Sequence, residues 1–185
     1  MMRFLPFVLV LAACGGDPQL RFATPSVEPG GRVATSFPSV EVRDVSLPLY
    51  AQAEEIAVEN TDGSITLSDD YLWADDPSRA VTLELSRSLA EITGNPTAPE
   101  PWPFEAYPAA RVEVRVEQMV ASRSGVFRLS GQYFVVDMEG RGRDRAALFD
   151  VSAPLDPEAG PNAIATARAG VVAELAQVIA RDGLR

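Results

Sequence analysis

The chain has 185 residues, 46% hydrophobic and 23% charged, a balance that describes one globular domain with a sizeable core. It has no histidine and one cysteine, Cys14, which excludes Ser-His-Asp machinery, histidine-based zinc sites and any disulfide within the chain. The formal net charge of -10 argues against nucleic acid as a partner and against electrostatic adsorption to anionic lipid.

Arg3, the apolar run Phe4–Val10 and the small residues Ala12 and Ala13 read as an export signal over residues 1–13. The run falls far short of the ~18 apolar residues that span a bilayer, so it is not read as a transmembrane helix. Leu11-Ala12-Ala13-Cys14 resembles a bacterial lipobox, whose cysteine is acylated and becomes the mature N-terminus. On that resemblance Cys14 is the lipidation site and the chain is exported and membrane-tethered. A single short acyl chain anchors only marginally, at about 0.8 kcal/mol per buried methylene, so stable attachment needs more than one.

Residues 14–37 read as the acylated N-terminus and a tether, because Pro25, Pro29 and Gly30-Gly31 punctuate the stretch. Within it, Leu20–Ala23 is a candidate edge strand. A single domain is expected over residues 38–185. Val40–Leu47 is β-rich, with alternation that falters past Arg43, and Pro48 ends it. Glu55–Glu59, the turn Asn60-Thr61-Asp62-Gly63 and Ser64–Leu67 predict a β-hairpin.

Asp76 as N-cap and Pro77 at the first helical position predict a helix whose stripe is Val81, Leu85, Leu89 and Ile92. Gly94 closes it, Asn95-Pro96 prevents continuation, and Arg87 and Glu91 are spaced to pair on its outer side. Thr97–Pro108 interleaves four prolines with Trp102, Phe104 and Tyr107. It reads as a stiffened crossover whose aromatics cover an edge of the core.

Arg111–Glu117 alternates valine with charge, so one face is buried and one wet. Phe127, Leu129, Gly131, Tyr133 and Val135 form the inward face of a returning strand, and Arg145–Val151 a third, completing an antiparallel meander. Arg141, Arg143 and Arg145 read as a solvated hairpin tip. Pro161 starts a last helix lined by Ile164, Ala167, Val171, Leu175, Val178 and Ile179. Two amphipathic helices and half-apolar strands predict an α+β fold: a two-layer α/β sandwich, its sheet mixed but largely antiparallel, with both helices on one face.

Acid pairs such as Asp69-Asp70 and Asp75-Asp76 are candidates for a carboxylate dyad or a calcium site, but both sit where Asp is favoured for local hydrogen bonds. No catalytic residue, cofactor or metal site is expected.

The order of these features resembles the PqiC/YmbA-type ABC-transport auxiliary lipoproteins. The matching stretches are the lipobox, Val42–Tyr50, Leu72-Trp73-Ala74 opening a leucine-spaced helix, Gly125–Tyr133 and the closing Leu175–Ala180 helix. Tyr133 and Ser78 depart from the family's usual Trp and Leu. The resemblance implies a non-catalytic accessory or docking subunit of an MCE/ABC-type lipid transport system, outer-membrane anchored, facing the periplasm and supporting envelope integrity. It further implies an MCE-domain protein as partner and, as an option, a homo-oligomeric ring. Gly15, where an Asp would retain an enteric lipoprotein in the inner membrane, favours outer-membrane delivery. Leu47, Pro48, Tyr50 and Trp73 are the matched positions expected to shape the fold or a partner surface. The alternative is a lipoprotein serving lipopolysaccharide insertion or a cell-wall synthase.

Overall fold

A computed structural model describes residues 19–185. Cys14 and the export signal lie outside the described residues. The centre of the sheet is β6 (Ala110–Ser122), a 13-residue strand paired antiparallel along its whole length with β7 (Val126–Asp137), which pairs in turn with β8 (Arg145–Pro154). This is the expected meander. Val112, Val114 and Val116 face inward with Phe127, Leu129, Tyr133 and Val135, all buried, while the alternating charges face water.

The other edge of β6 is shared. Near its start it pairs in parallel with β2 (Val40–Val42), which pairs with β5 (Thr97–Pro99). At its end it pairs in parallel with β3 (Glu55–Glu59). β3 forms the expected hairpin with β4 (Ile65–Trp73), and β1 (Leu20–Phe22) adds a parallel edge strand to β4. The eight-stranded sheet is therefore mixed, with antiparallel ladders making its long pairings.

A one-residue bulge interrupts β6 between Val116 and Gln118, opposite Gly131. A Cβ on Gly131 would lie 2.2 Å from the Arg115 carbonyl oxygen, so the two backbones meet where no side chain fits.

Helix α2 (Pro77–Thr93) starts and stops as its sequence dictates. The Asp76 carboxylate accepts from the Arg79 N–H at 2.8 Å, and Gly94 takes φ 71° to close it. Val81, Leu85, Leu89 and Ile92 are fully buried. Arg87 and Glu91 form no ion pair among the described residues; the Arg87 charge instead acts on Glu84. Helix α3 (Pro161–Val178) continues into a π-helical turn, Ile179–Gly183, and both helices pack on each other over the inner face of the sheet. Helix α3 with that turn is long and apolar enough to cross a membrane, but here it is a core helix, mostly buried.

Three expectations need correction. Val40–Leu47 is a strand only over Val40–Val42. Beyond it Asp44 bulges into solvent so that Val42, Val45 and Leu47 can all point inward, and the chain rejoins β6 by a bridge at Ser46–Arg115. The start of the Pro-rich crossover, Thr97–Pro99, is a strand. The packed chain also begins well before residue 38. Residues 24–37 carry no regular structure, as prolines and glycines dictate, yet Val33 and Phe37 are buried, and the Val33 N–H donates to the Ile92 carbonyl at 2.9 Å. Two apolar residues in a short stretch suffice to fasten it.

Gly131→Ala should lower stability by about 3 kcal/mol in urea titration, since the β6 backbone cannot retreat. Gly170→Ala on α3, where an added Cβ meets nothing within 4 Å, should instead gain up to about 1 kcal/mol.

Candidate functional site

Leu47, Pro48 and Tyr50 come together at the seam where β2 leaves β6 and β3 has not yet joined it. Leu47 is buried, and Pro48 turns the chain into a single helical turn, α1 (Leu49–Gln52). The Gln52 amide donates to the Leu47 carbonyl at 2.6 Å. Just past the bulge, the Met119 N–H lies between the two strand partners of that edge and would otherwise go unmet. Half-buried Tyr50 supplies its hydroxyl as acceptor at 3.2 Å. These side chains hold the sheet together; the outward residue of the stretch is Leu49, 83% exposed.

Trp73 ends β4 in the core, 5% exposed, as the floor of a cluster that joins four elements. The Arg168 guanidinium of α3 lies over its ring at 4.6 Å and donates to Glu84 Oε1 of α2 at 3.0 Å. The Trp73 carbonyl accepts from Arg21 of β1 at 3.1 Å. Arg168 is 1% exposed, a charge inside the helix pair. Burial pushes the Glu84 carboxyl above its ordinary range, opposed by the Arg168 charge; burial likewise lowers Arg168. Arg168 Nε and Glu84 Oε2 have no protein partner and lie beside a cavity of about 210 Å³, which Phe22, Thr24 and Leu83 also line.

Sequence reasoning missed this pair. The signal was there: Arg168 stands four residues after Ile164 and three before Val171, on the stripe that the helix buries.

Of the three arginines after β7, Arg143 is not part of a solvated tip. Asp137, buried at the end of β7, accepts from Arg143 Nε at 3.0 Å and from the N–H groups of Glu139 and Arg141. Arg143 also donates to the Ser36 carbonyl at 3.1 Å and lies over the Phe37 ring at 4.2 Å, so it pins the incoming segment to the meander. Burial resists ionisation of Asp137, but the Arg143 and backbone hydrogen bonds outweigh it and hold the carboxyl below its ordinary range. Arg141 and Arg145 remain on the surface.

The Pro-rich loop does not cover the core. It folds on itself, with Trp102 Nε1 donating to the Ala106 carbonyl at 2.6 Å and Trp102 edge-on to Phe104. Phe104 is 54% and Tyr107 90% exposed. Of the acid pairs, Asp76 caps α2 and Asp75 pairs with Arg79, while Asp69 and Asp70 lie exposed on β4. Among the described residues no three His, Cys, Asp or Glu side chains converge on a metal-sized site.

Fold and polar clusters thus define an α+β two-layer sandwich whose buried charges fasten elements to one another. Residues 19–180 match the ABC-type transport auxiliary lipoprotein component, and the chain belongs to that family, whose members are auxiliary and not catalytic components of transport systems. The fold recurs in solved structures. A protein of family DUF330 from Xanthomonas campestris is 12% identical, superposes with a TM-score of 0.68, and aligns over 87% of this chain and 93% of its own. An uncharacterized protein is 15% identical with a TM-score of 0.69, over 87% of this chain and 97% of its own. No curated protein sequence matches the chain.

Arg168→Met should destabilise by roughly 3–5 kcal/mol by stranding the Glu84 carboxylate, while Arg168→Met combined with Glu84→Leu should recover most of that loss in chemical denaturation. The Arg143–Asp137 pair predicts a pH signature. A carboxyl held below its ordinary value contributes its full stability above about pH 4 and loses it as pH falls through the depressed value. Arg143→Gln should therefore be less stable than the parent at pH 6, with the gap narrowing below pH 4.

Proposed function

We propose that this chain is an outer-membrane lipoprotein, acylated at Cys14, that serves as a non-catalytic docking subunit of an MCE/ABC-type lipid transport system linking the inner and outer membranes. The observation that carries the reading is the family match over residues 19–180, an auxiliary lipoprotein of ABC-type transport. The lipobox-like Leu11–Cys14 stands just ahead of the matched region, with Gly15 rather than Asp in the sorting position. That sorting position and the family resemblance support outer-membrane residence, and the resemblance supports a part in envelope integrity.

A docking role also suits how the polar side chains are spent. A catalytic site needs convergent titratable groups in an accessible cleft. Here Arg168–Glu84 and Arg143–Asp137 are drawn into holding helix to helix and segment to hairpin. The chain works through what it grips, with the MCE-domain protein of the system as partner and assembly into a ring as an option the same role allows.

Cys14→Ala should move the protein from the outer-membrane fraction to the soluble periplasmic fraction, and crosslinking in intact cells should return an MCE-domain protein. Retention of the variant in the outer membrane would sink the anchor. Recovery of an outer-membrane barrel or a cell-wall synthase instead would sink the transport assignment.

A further inference from the structure

The shortened tether has a geometric consequence. Gln19, the first described residue, donates its side-chain amide to the Asp69 carbonyl at 3.3 Å, and β1 follows at once. Arg21 fastens β1 with an ion pair to Glu54 at 2.7 Å and a hydrogen bond to the Trp73 carbonyl. Five residue steps separate Gln19 from Cys14. Fully extended, they reach about 17 Å, which is far too short to let the domain swing freely above a bilayer.

The direction of exit is also defined. β1 runs parallel to β4, Leu20 beside Tyr71 and Phe22 beside Trp73. Traced backwards from Phe22 to Leu20, the chain heads along β4 toward its start and the hairpin turn at Asn60–Gly63. On this route lie Leu20 (52% exposed), Tyr71 (39%), Leu67 (39%) and Ile65 (40%). Ile65 and Leu67 share the face of β4 turned away from the helices, and Leu20 and Tyr71 flank the same corner from the helix side. Apolar side chains this large, left open beside the point where the chain leaves the domain, mark a contact surface.

We propose that the β1–β4 corner of the sheet is a bilayer-contact surface, pressed onto the membrane by the short link to Cys14. The proposal rests on acylation at Cys14 and adds to it an orientation: the β3–β4 hairpin lies at the membrane, with Leu20, Ile65, Leu67 and Tyr71 seated in the interfacial layer. Asp62, Asp69 and Asp70 line the same route, so the attraction is apolar, and the matching surface is zwitterionic rather than anionic.

Because acylation occupies the only cysteine, an introduced cysteine is the sole free thiol. Leu67→Cys and Ile65→Cys on the corner, and Leu148→Cys on the opposite edge strand β8 (76% exposed), would each carry an environment-sensitive fluorophore in full-length acylated protein reconstituted into phosphatidylcholine vesicles. Lipid-borne nitroxide should quench the probes at 65 and 67 several-fold more than the probe at 148. Equal quenching at all three positions, stronger quenching at 148, or none anywhere overturns the orientation while leaving the anchor intact. An unmodified Cys14 thiol by mass spectrometry, on protein that does not sediment with vesicles, overturns anchor and orientation together.

Discussion

Each edge of a β-strand can be satisfied once, and β6 has one edge more claimed than it can easily serve. Its first edge is given wholly to β7. Its second must receive β2 at one end and β3 at the other, two strands that do not pair with each other. A buried backbone N–H without a partner costs about 1–3 kcal/mol, so the interval between them needs other acceptors. Ser46 supplies a carbonyl to Val116, and Tyr50 a hydroxyl to Met119. The bulge at Val116–Gln118 falls in the same interval, and the bare backbone of Gly131 lets β7 close over it. Pro48 sets the turn that brings Tyr50 there. Leu47, Pro48 and Tyr50 thus serve the seam together, while Leu49 points outward.

Above the seam, the helix layer is fastened by charge as well as by apolar packing. A buried arginine is an expensive way to join two helices, and a hydrophobic pair of similar volume would often serve stability as well. What Arg168 adds is direction. Its stack on Trp73 and its bond to Glu84 require α2, α3 and β4 to meet in one register, and Arg21 fastens the N-terminal segment to the same tryptophan through its carbonyl. Arg143 does the equivalent at the other side of the domain, reaching Ser36 and Phe37 from the meander. The Pro- and Gly-rich stretch between these two clasps is held at both ends.

Strong local physics was legible in the sequence. Asp76-Pro77 and Gly94 mark the ends of α2, and the inward residues of β7 follow from strict alternation over five positions. What escaped depended on partners distant in sequence. Val33 and Phe37 look like incidental apolar residues in a loop until Ile92 and Arg143 are placed beside them. Arg143 among arginines looks solvated because Asp137 belongs to the preceding strand. Trp102, Phe104 and Tyr107 suggested a cover for the core, but the prolines bend the loop back on itself before it can reach one. Of the residues picked out for the site, Leu47, Pro48, Tyr50 and Trp73 lie in the seam and the core, and Cys14 lies outside the described residues.

Two exposed apolar features, the β1–β4 corner and the Pro-rich loop, lie toward opposite ends of β6. β3 joins β6 at Ser122, so the β3–β4 hairpin is at the finish of that strand, whereas Phe104 and Tyr107 precede its first residue, Ala110. Thirteen residues of extended chain separate these ends by about 40 Å. A domain pinned near its hairpin end, as proposed, would hold its exposed aromatic loop well out from the bilayer surface. A long flexible tether would erase that distinction, because the domain could tumble and present any face. The contacts at Arg21, Val33 and Phe37 draw residues 19–37 into the fold; under the proposed anchoring they would turn what composition suggests is a leash into a mount. An accessory protein that must meet a large machine in one orientation gains from such a mount, since the orientational part of the search is settled before the partner arrives.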